Sequence, residues 1–167
     1  MEFVVGIGEI VVSRTENDII KTYALASCLG VIMYVPRLQT MAMAHMLLPS
    51  SANLQKETVA RPAQYVDTGI DAMVNLFQHR LGVERKELRV SVFGGAESEI
   101  CNHYNVSERN IETAKATLKK HGLQADRMET GGPYARTLTG YSRDGHIQVT
   151  QVLMGLTYRG NQKSACL

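Results

Sequence analysis

The sequence predicts an α+β domain, layered, with largely antiparallel or mixed sheets and two main helices. Three observations carry this. Runs rich in β-branched and aromatic residues recur along the chain, as strands require. Two stretches place apolar residues at helical spacing and end on a glycine. These helices do not alternate with single strands along the chain, as a doubly wound fold would demand. At 167 residues the chain suits one domain with a sizeable core, expected over residues 1–155, with a frayed polar tail over 156–167.

The elements follow in order. Phe3 to Val12 is β-branched, with Gly6 and Gly8 as a kink in one first strand; its GIGE lacks the helix and lysine of a phosphate loop. Ile19 to Leu25 is a second strand, ended by Ala26-Ser27-Cys28. LGVIMYV and MAMAHML form a hairpin, with Pro36 and the polar residues after it supporting the reversal near Arg37 and Leu38. Ser50 to Ala60 is a polar loop, placed to gate a site because it follows the hairpin directly. Pro62 suits a helix first turn; Val66, Ile70, Met73, Val74, Phe77 and Leu81 keep helical spacing up to the stop at Gly82. Leu88 to Phe93 is a strand closed by Gly94-Gly95-Ala96. Ser107 caps a helix to about His121, stopped by Gly122. Leu123 to Thr130, Ala135 to Tyr141 and His146 to Leu153 are strands, the last two joined by an Asp144-Gly145 hairpin turn.

Composition narrows the function classes. Eighteen Lys and Arg against 16 Asp and Glu leave a net charge of +2, with no basic run interleaved with aromatics, so nothing points to nucleic acid. The apolar run Ala24 to Val35 is interrupted by Ser27 and Gly30 and is too short to span a bilayer. MEFVV is acidic and strand-like, unlike a signal peptide; a cytoplasmic protein, not inserted in a membrane, is the expectation. Cys28, Cys101 and Cys166 are odd in number and widely spaced, fitting a reduced protein rather than a disulfide framework. Cys101-Asn102-His103 has no matching second pair, and the five His are dispersed, so neither metal nor cofactor is expected.

Chemistry concentrates between Thr22 and Pro49. Cys28 sits in one small-residue apolar run and His45 in another. A thiol and an imidazole brought together are the minimum for cysteine nucleophilic catalysis, the His lowering the thiol from its free pKa of about 8.5. With the reversal near Arg37 and Leu38, His45 falls opposite Gly30, two residues beyond Cys28 and on the same face. Diagonal neighbours across strands are roughly 7–8 Å apart, within reach of both side chains. A one-residue slip would put them on opposite faces. Thr22 offers a hydroxyl to orient the imidazole, while Ser27 and Gly30 keep the backbone beside the thiol tight and accessible. The alternative is a Cys and a His that merely fill a core. Gly94 and Gly95 could lend backbone amides to an oxyanion hole or form a simple turn. Tyr65 and Asp67 could line a site, although an Asp near a helix start also serves the dipole.

TYALASCLGV, Tyr34-Val35-Pro36 and MAMAHMLLP together resemble the signature of the CheD family, the chemoreceptor glutamine deamidases. GIGE, YVDTGI at Tyr65 to Ile70, FGGA at Phe93 to Ala96, SERN at Ser107 to Asn110 and GGPYARTL at Gly131 to Leu138 resemble further family segments, in the family's order. Ala26, Val35, Met41, Met43 and Ala135 depart from it, standing where the family usually has Gly, Asp, Gly, Gly and Gly. A Cβ at Ala26 matters if that position needs a positive φ.

The resemblance implies an α/β sandwich with a site like that of bacterial toxin deamidases. It implies Cys28 as nucleophile, His45 as base and Thr22 as the residue orienting His45. The implied substrates are glutamines on the cytoplasmic coiled coil of methyl-accepting chemotaxis receptors, converted to glutamate without a cofactor in support of adaptation. A CheC-type phosphatase is the implied regulatory partner. Two alternatives use the same residues: a non-catalytic docking module for receptors or the phosphatase, and an esterase acting on receptor methyl esters.

Overall fold

Leu29–Val35 and Thr40–Met46 set the architecture. Both are near-continuous apolar runs, buried along almost their whole length, as strands covered on two faces must be. The computed structural model describes residues 1–52, 61–97 and 105–154. Cys101, Cys166, the expected tail and most of the expected Ser50 to Ala60 loop lie outside the described residues. In chain order the elements are β1 (Glu2–Val4), β2 (Ile10–Val12), β3 (Ile19–Leu25), β4 (Leu29–Val35), β5 (Thr40–Met46), α1 (Val66–Asn75), β6 (Arg89–Gly94), α2 (Val106–Lys120), β7 (Arg127–Thr130), β8 (Tyr134–Tyr141) and β9 (Ile147–Leu153).

The strands form two mixed sheets, ordered β1-β3-β8-β9 and β2-β5-β4-β6-β7. Alternate residues of the β4–β5 hairpin face opposite ways. Leu29, Val31, Met33, Ala42 and Ala44 pack with Ile70, Met73, Phe77 and Leu118 of the helical layer. Ile32, Tyr34, Met41 and Met43 pack with Ile20, Leu25 and Leu138 of the other sheet. The layers therefore run sheet, sheet, helices, and the α+β sandwich with mixed sheets is as the sequence predicts.

Hairpin register also follows the sequence. Pro36–Leu38 makes one 3-10 turn, Gln39 takes a left-handed φ of 46°, and Gly30 pairs with His45.

Several boundaries differ from expectation. Phe3 to Val12 is not one kinked strand: β1 runs parallel to β3 in one sheet and β2 antiparallel to β5 in the other. The glycine-bearing segment between them carries the chain across the layer, with Gly8 at φ 78°. Helix α1 begins at Val66, beyond Pro62, with Tyr65 extended at its N-cap, and continues as a π turn over Leu76–Arg80 that buries Phe77. Ser107 lies inside α2 and does not cap it; its Oγ donates to Ala96 O at 2.7 Å, and Asn105 holds the N-cap. The strand expected from Leu123 starts at Arg127 and is parallel to β6, so β6, α2 and β7 form one strand–helix–strand unit. Asp144 and Gly145 lie in a longer loop, in which Asp144 Oδ1 accepts from His146 N at 2.9 Å.

Two local features shape the layer between the sheets. In β3, Thr22 pairs with Leu138 and Leu25 with Arg136, so Tyr23 and Ala24 together oppose Thr137. This bulge turns both Thr22 and Leu25 inward, which a regular strand could not do at that spacing. Ala24 absorbs the distortion at φ 53°. Farther along, Met41 and Met43 fill the space above Gly140, where a Cβ would lie 2.4 Å from Met41 Sδ and 3.2 Å from Met43 Cε. The methionines that depart from the family pattern are thus accommodated by a glycine on the facing strand.

Candidate active site

Cys28 ends the short turn between β3 and β4, and three separate contacts hold that turn. Its carbonyl accepts from Gly95 N at 2.8 Å, and the carbonyl of Ala26 accepts from Ala96 N at 2.7 Å. The carbonyl of Ser27 accepts from Asn110 Nδ2 at 2.9 Å. Gly94 adopts φ 102°, and a Cβ there would lie 2.2 Å from Cys28 O, so only glycine fits against the cysteine backbone. These contacts answer two questions that the sequence leaves open. The Gly95 amide is engaged with Cys28 O and is not free to receive an oxyanion. Ala26 is not among the positive-φ residues; Ala24 is.

His45 lies on β5 opposite Gly30. Gly30 has room for no side chain, since a Cβ would come within 2.7 Å of Leu25 and Leu138 methyl carbons. Across the layer, Thr22 Oγ1 is 2.8 Å from His45 Nδ1 and 3.0 Å from Val5 O. A hydroxyl has one proton to give, and a carbonyl can only accept. Thr22 therefore donates to Val5 and accepts from Nδ1–H. That leaves the Nε2 lone pair of His45 free, and Nε2 is buried without a partner among the described residues. The alternation that puts His45 on the inter-sheet face puts Cys28 there too, in the cluster with Leu25, Phe93 and Leu138.

The electrostatics differ from the sequence expectation. Burial pushes the Cys28 thiol up to about 11, so the thiol rests neutral rather than as a thiolate lowered by His45. Burial also lowers His45 below its ordinary value, keeping the imidazole neutral near pH 7. Both groups rest neutral, and His45 Nε2 makes no hydrogen bond to Cys28 or to any other described residue.

Tyr65 and Asp67 stand at the start of α1. Tyr65 bridges to Leu48 at the entry to α1. Asp67 accepts from Ser50 Oγ at 2.8 Å and from Ser51 N at 3.1 Å, fastening the segment after β5 to the helix. Asp67 lines a cleft of about 880 Å³ with Asp71, Thr113, Thr117 and Lys120 on the helical side.

Two residues that sequence reasoning gave no role stand beside the cysteine turn. Arg136 is buried, and its guanidinium donates to Gly131 O at 3.0 Å, Tyr134 O at 3.2 Å and Gly94 O at 3.4 Å; burial lowers its pKa. Asn110 is fully buried and binds Leu47 O at 3.1 Å as well as Ser27 O. Its position on the apolar face of α2, in line with Ala114 and Leu118, was the available signal: a carboxamide where a hydrophobe would do.

Among the described residues, no helix is long and apolar enough to cross a membrane. The family model for CheD chemotactic sensory transduction matches residues 47–151. A probable chemoreceptor glutamine deamidase CheD of Thermococcus kodakarensis is 34% identical over 158 residues, covering 93% of this chain and 96% of that one. The protein of the same description from Archaeoglobus fulgidus is 33% identical, covering 89% and 92%. The crystal structure of the Bacillus licheniformis hypothetical protein YfiH aligns with a TM-score of 0.47 and 15% identity, over 72% of this chain and 49% of that protein. Identity near one third across almost the full length of both archaeal relatives, together with the family match, establishes that this chain belongs to the CheD family.

Proposed function

We propose that this chain is a chemoreceptor glutamine deamidase, a protein-glutamine glutaminase that hydrolyses glutamine side-chain amides on chemotaxis receptors to glutamate. The observation that carries the catalytic assignment is the Val5–Thr22–His45 chain of hydrogen bonds. It presents an unprotonated Nε2 on the layer that holds Cys28.

The chemistry follows from that arrangement. As Cys28 Sγ attacks the amide carbon, His45 Nε2 takes the thiol proton. The tetrahedral intermediate collapses as His45 returns the proton to the nitrogen, releasing ammonia and leaving a thioester. Nε2 then takes a proton from water, whose oxygen attacks the thioester; glutamate forms and the thiol recovers its proton. A neutral thiol and a neutral base suit this coupled transfer, because no charge is buried until substrate arrives. Thr22 holds the imidazole in the tautomer that the sequence needs.

The targets are glutamines on the cytoplasmic coiled coil of the receptors, where the new glutamates become methylation sites for adaptation. The protein works in the cytoplasm, and a CheC-type phosphatase regulates it by engaging the same face. The test is mass spectrometry of a receptor cytoplasmic fragment incubated with the protein and with Cys28→Ala. Conversion of particular glutamines to glutamate by the intact thiol alone supports the assignment. Binding without conversion would make the chain a docking regulator. Conversion that survives in Cys28→Ala would sink the mechanism.

A further inference from the structure

We infer that Asn110 is a positioning residue for the Cys28–His45 pair: one carboxamide on α2 that fixes the spacing between the two chain segments carrying the reacting groups. The inference rests on the reading of Cys28 and His45 as the catalytic pair.

Pairing between β4 and β5 runs from Val35–Thr40 to Leu29–Met46. Beyond that last pair the two strands part, and there the chemistry lies: Cys28 is one residue past the end of the ladder on one side, and Leu47 one residue past it on the other. The sheet supplies no rung between Ser27 and Leu47. Asn110 supplies one, with Nδ2 at 2.9 Å from Ser27 O and 3.1 Å from Leu47 O. Ser27 is joined directly to Cys28, and Leu47 is two residues from His45. Both acceptors are carbonyls, so the NH₂ must face them.

The arrangement is not what packing alone would select. Asn110 is wholly buried, and its Oδ1 has no partner among the described residues. A carboxamide oxygen taken out of water without a partner is unfavourable. Ala114 and Leu118 continue the same helix face with apolar side chains; a leucine at 110 would remove the unpaired oxygen but leave Ser27 O and Leu47 O without their donor. The carboxamide stands where two donors reach both segments at once. Lateral freedom of even 1 Å between a nucleophile and its base lowers a rate about 100-fold, and this rung restrains that freedom.

The experiment uses the full chain with a receptor cytoplasmic fragment. Asn110→Leu keeps the branched outline and removes the donors; Asn110→Ala removes them with a smaller side chain and serves if the leucine variant is too large to fold. Measured are Tm, and kcat and KM separately, with Cys28→Ala alongside. Expected for Asn110→Leu is a kcat lower by about 10- to 100-fold and a KM within about twofold, with a lower Tm because Ser27 O and Leu47 O lose their donor, the protein still being folded at the assay temperature. A variant as fast as the parent, or one whose loss lies in KM or is accounted for by the fraction unfolded at the assay temperature, overturns the inference. Deamidation that persists in Cys28→Ala instead overturns the reading of the pair, whatever Asn110 does.

Discussion

Thr22 and His45 come from different sheets, and the 2.8 Å between Oγ1 and Nδ1 makes the tautomer of the imidazole a property of how the sheets pack. The threonine hydroxyl is committed to Val5 O on one side, so its lone pair is what the histidine sees. Thr22→Val keeps the shape and removes that lone pair. The expected result is a kcat lower by about 100-fold or more, in the range seen for general acid–base groups. A stability loss of about 1–3 kcal/mol should accompany it, from the orphaned Nδ1–H. Thr22→Ser should retain most of the activity. Steady-state kinetics and urea titration of the three proteins check both statements.

The pH response follows from burial. His45 titrates below its ordinary value, so deamidation should hold its rate down through pH 6.5 and lose it only under more acidic conditions. Folding favours the neutral imidazole, so this contribution to stability is present above pH 6.5 and disappears as the pH falls through the folded-state value. Cys28 has the opposite sign: its raised pKa of about 11 favours the neutral thiol in the fold. That contribution is complete below the free thiol value of about 8.5 and is lost as the pH rises toward 11. Iodoacetamide should therefore modify Cys28 of the folded protein slowly at pH 7. Its rate should climb well above pH 9, whereas the urea-unfolded chain reacts with a midpoint near 8.5. Rapid modification of the folded protein at neutral pH would contradict the neutral pair.

Gly30 pairs with His45 and leaves no room for a side chain. Gly30→Ala drives a Cβ to 2.7 Å from methyl carbons of Leu25 and Leu138, which should destabilise by about 1–3 kcal/mol, as overpacking does. Adding Leu138→Val should restore part of it. Thermal unfolding of the single and double variants distinguishes this from an effect on the backbone, which the second change would leave untouched.

The methionines over Gly140 allow a double-mutant cycle. Met41→Ala should cost about 2–5 kcal/mol through the cavity it leaves. Gly140→Ala alone meets Met41 Sδ and should also destabilise, by about 1–3 kcal/mol. Combined, the changes should cost less than their sum, because the new methyl enters the space that the thioether leaves. Simple additivity would mean that these residues do not share the space.

The hairpin register at the candidate site was legible because it is local. Fifteen positions separate Gly30 from His45 along the sequence, Pro36 marks the reversal between them, and strand alternation then brings Cys28 and His45 to one face. The long-range contributions were not legible. Asn110 is 83 residues from Ser27, and no local pattern links a helix face to a carbonyl that far away. Arg136 resembled a polar residue of an alternating strand, whereas its guanidinium turns inward to gather carbonyls from Gly94 and Gly131. The N-terminal run was misjudged because a strand that changes sheets has the same residue preferences as one that bends.

The extra residue in β3 has a consequence for the whole strand. On one side of Tyr23 and Ala24 the inward positions fall in one phase, carrying Ile20 and Thr22; on the other they fall in the opposite phase, carrying Leu25. While the bulge stays opposite Thr137, no sliding of β3 along β8 by one or by two residues keeps Thr22 and Leu25 both inward. A misthreaded strand would expose Leu25 or abandon His45, so the irregularity acts as a key cut for a single lock and excludes near-native arrangements in which the fold is formed but the imidazole is unheld.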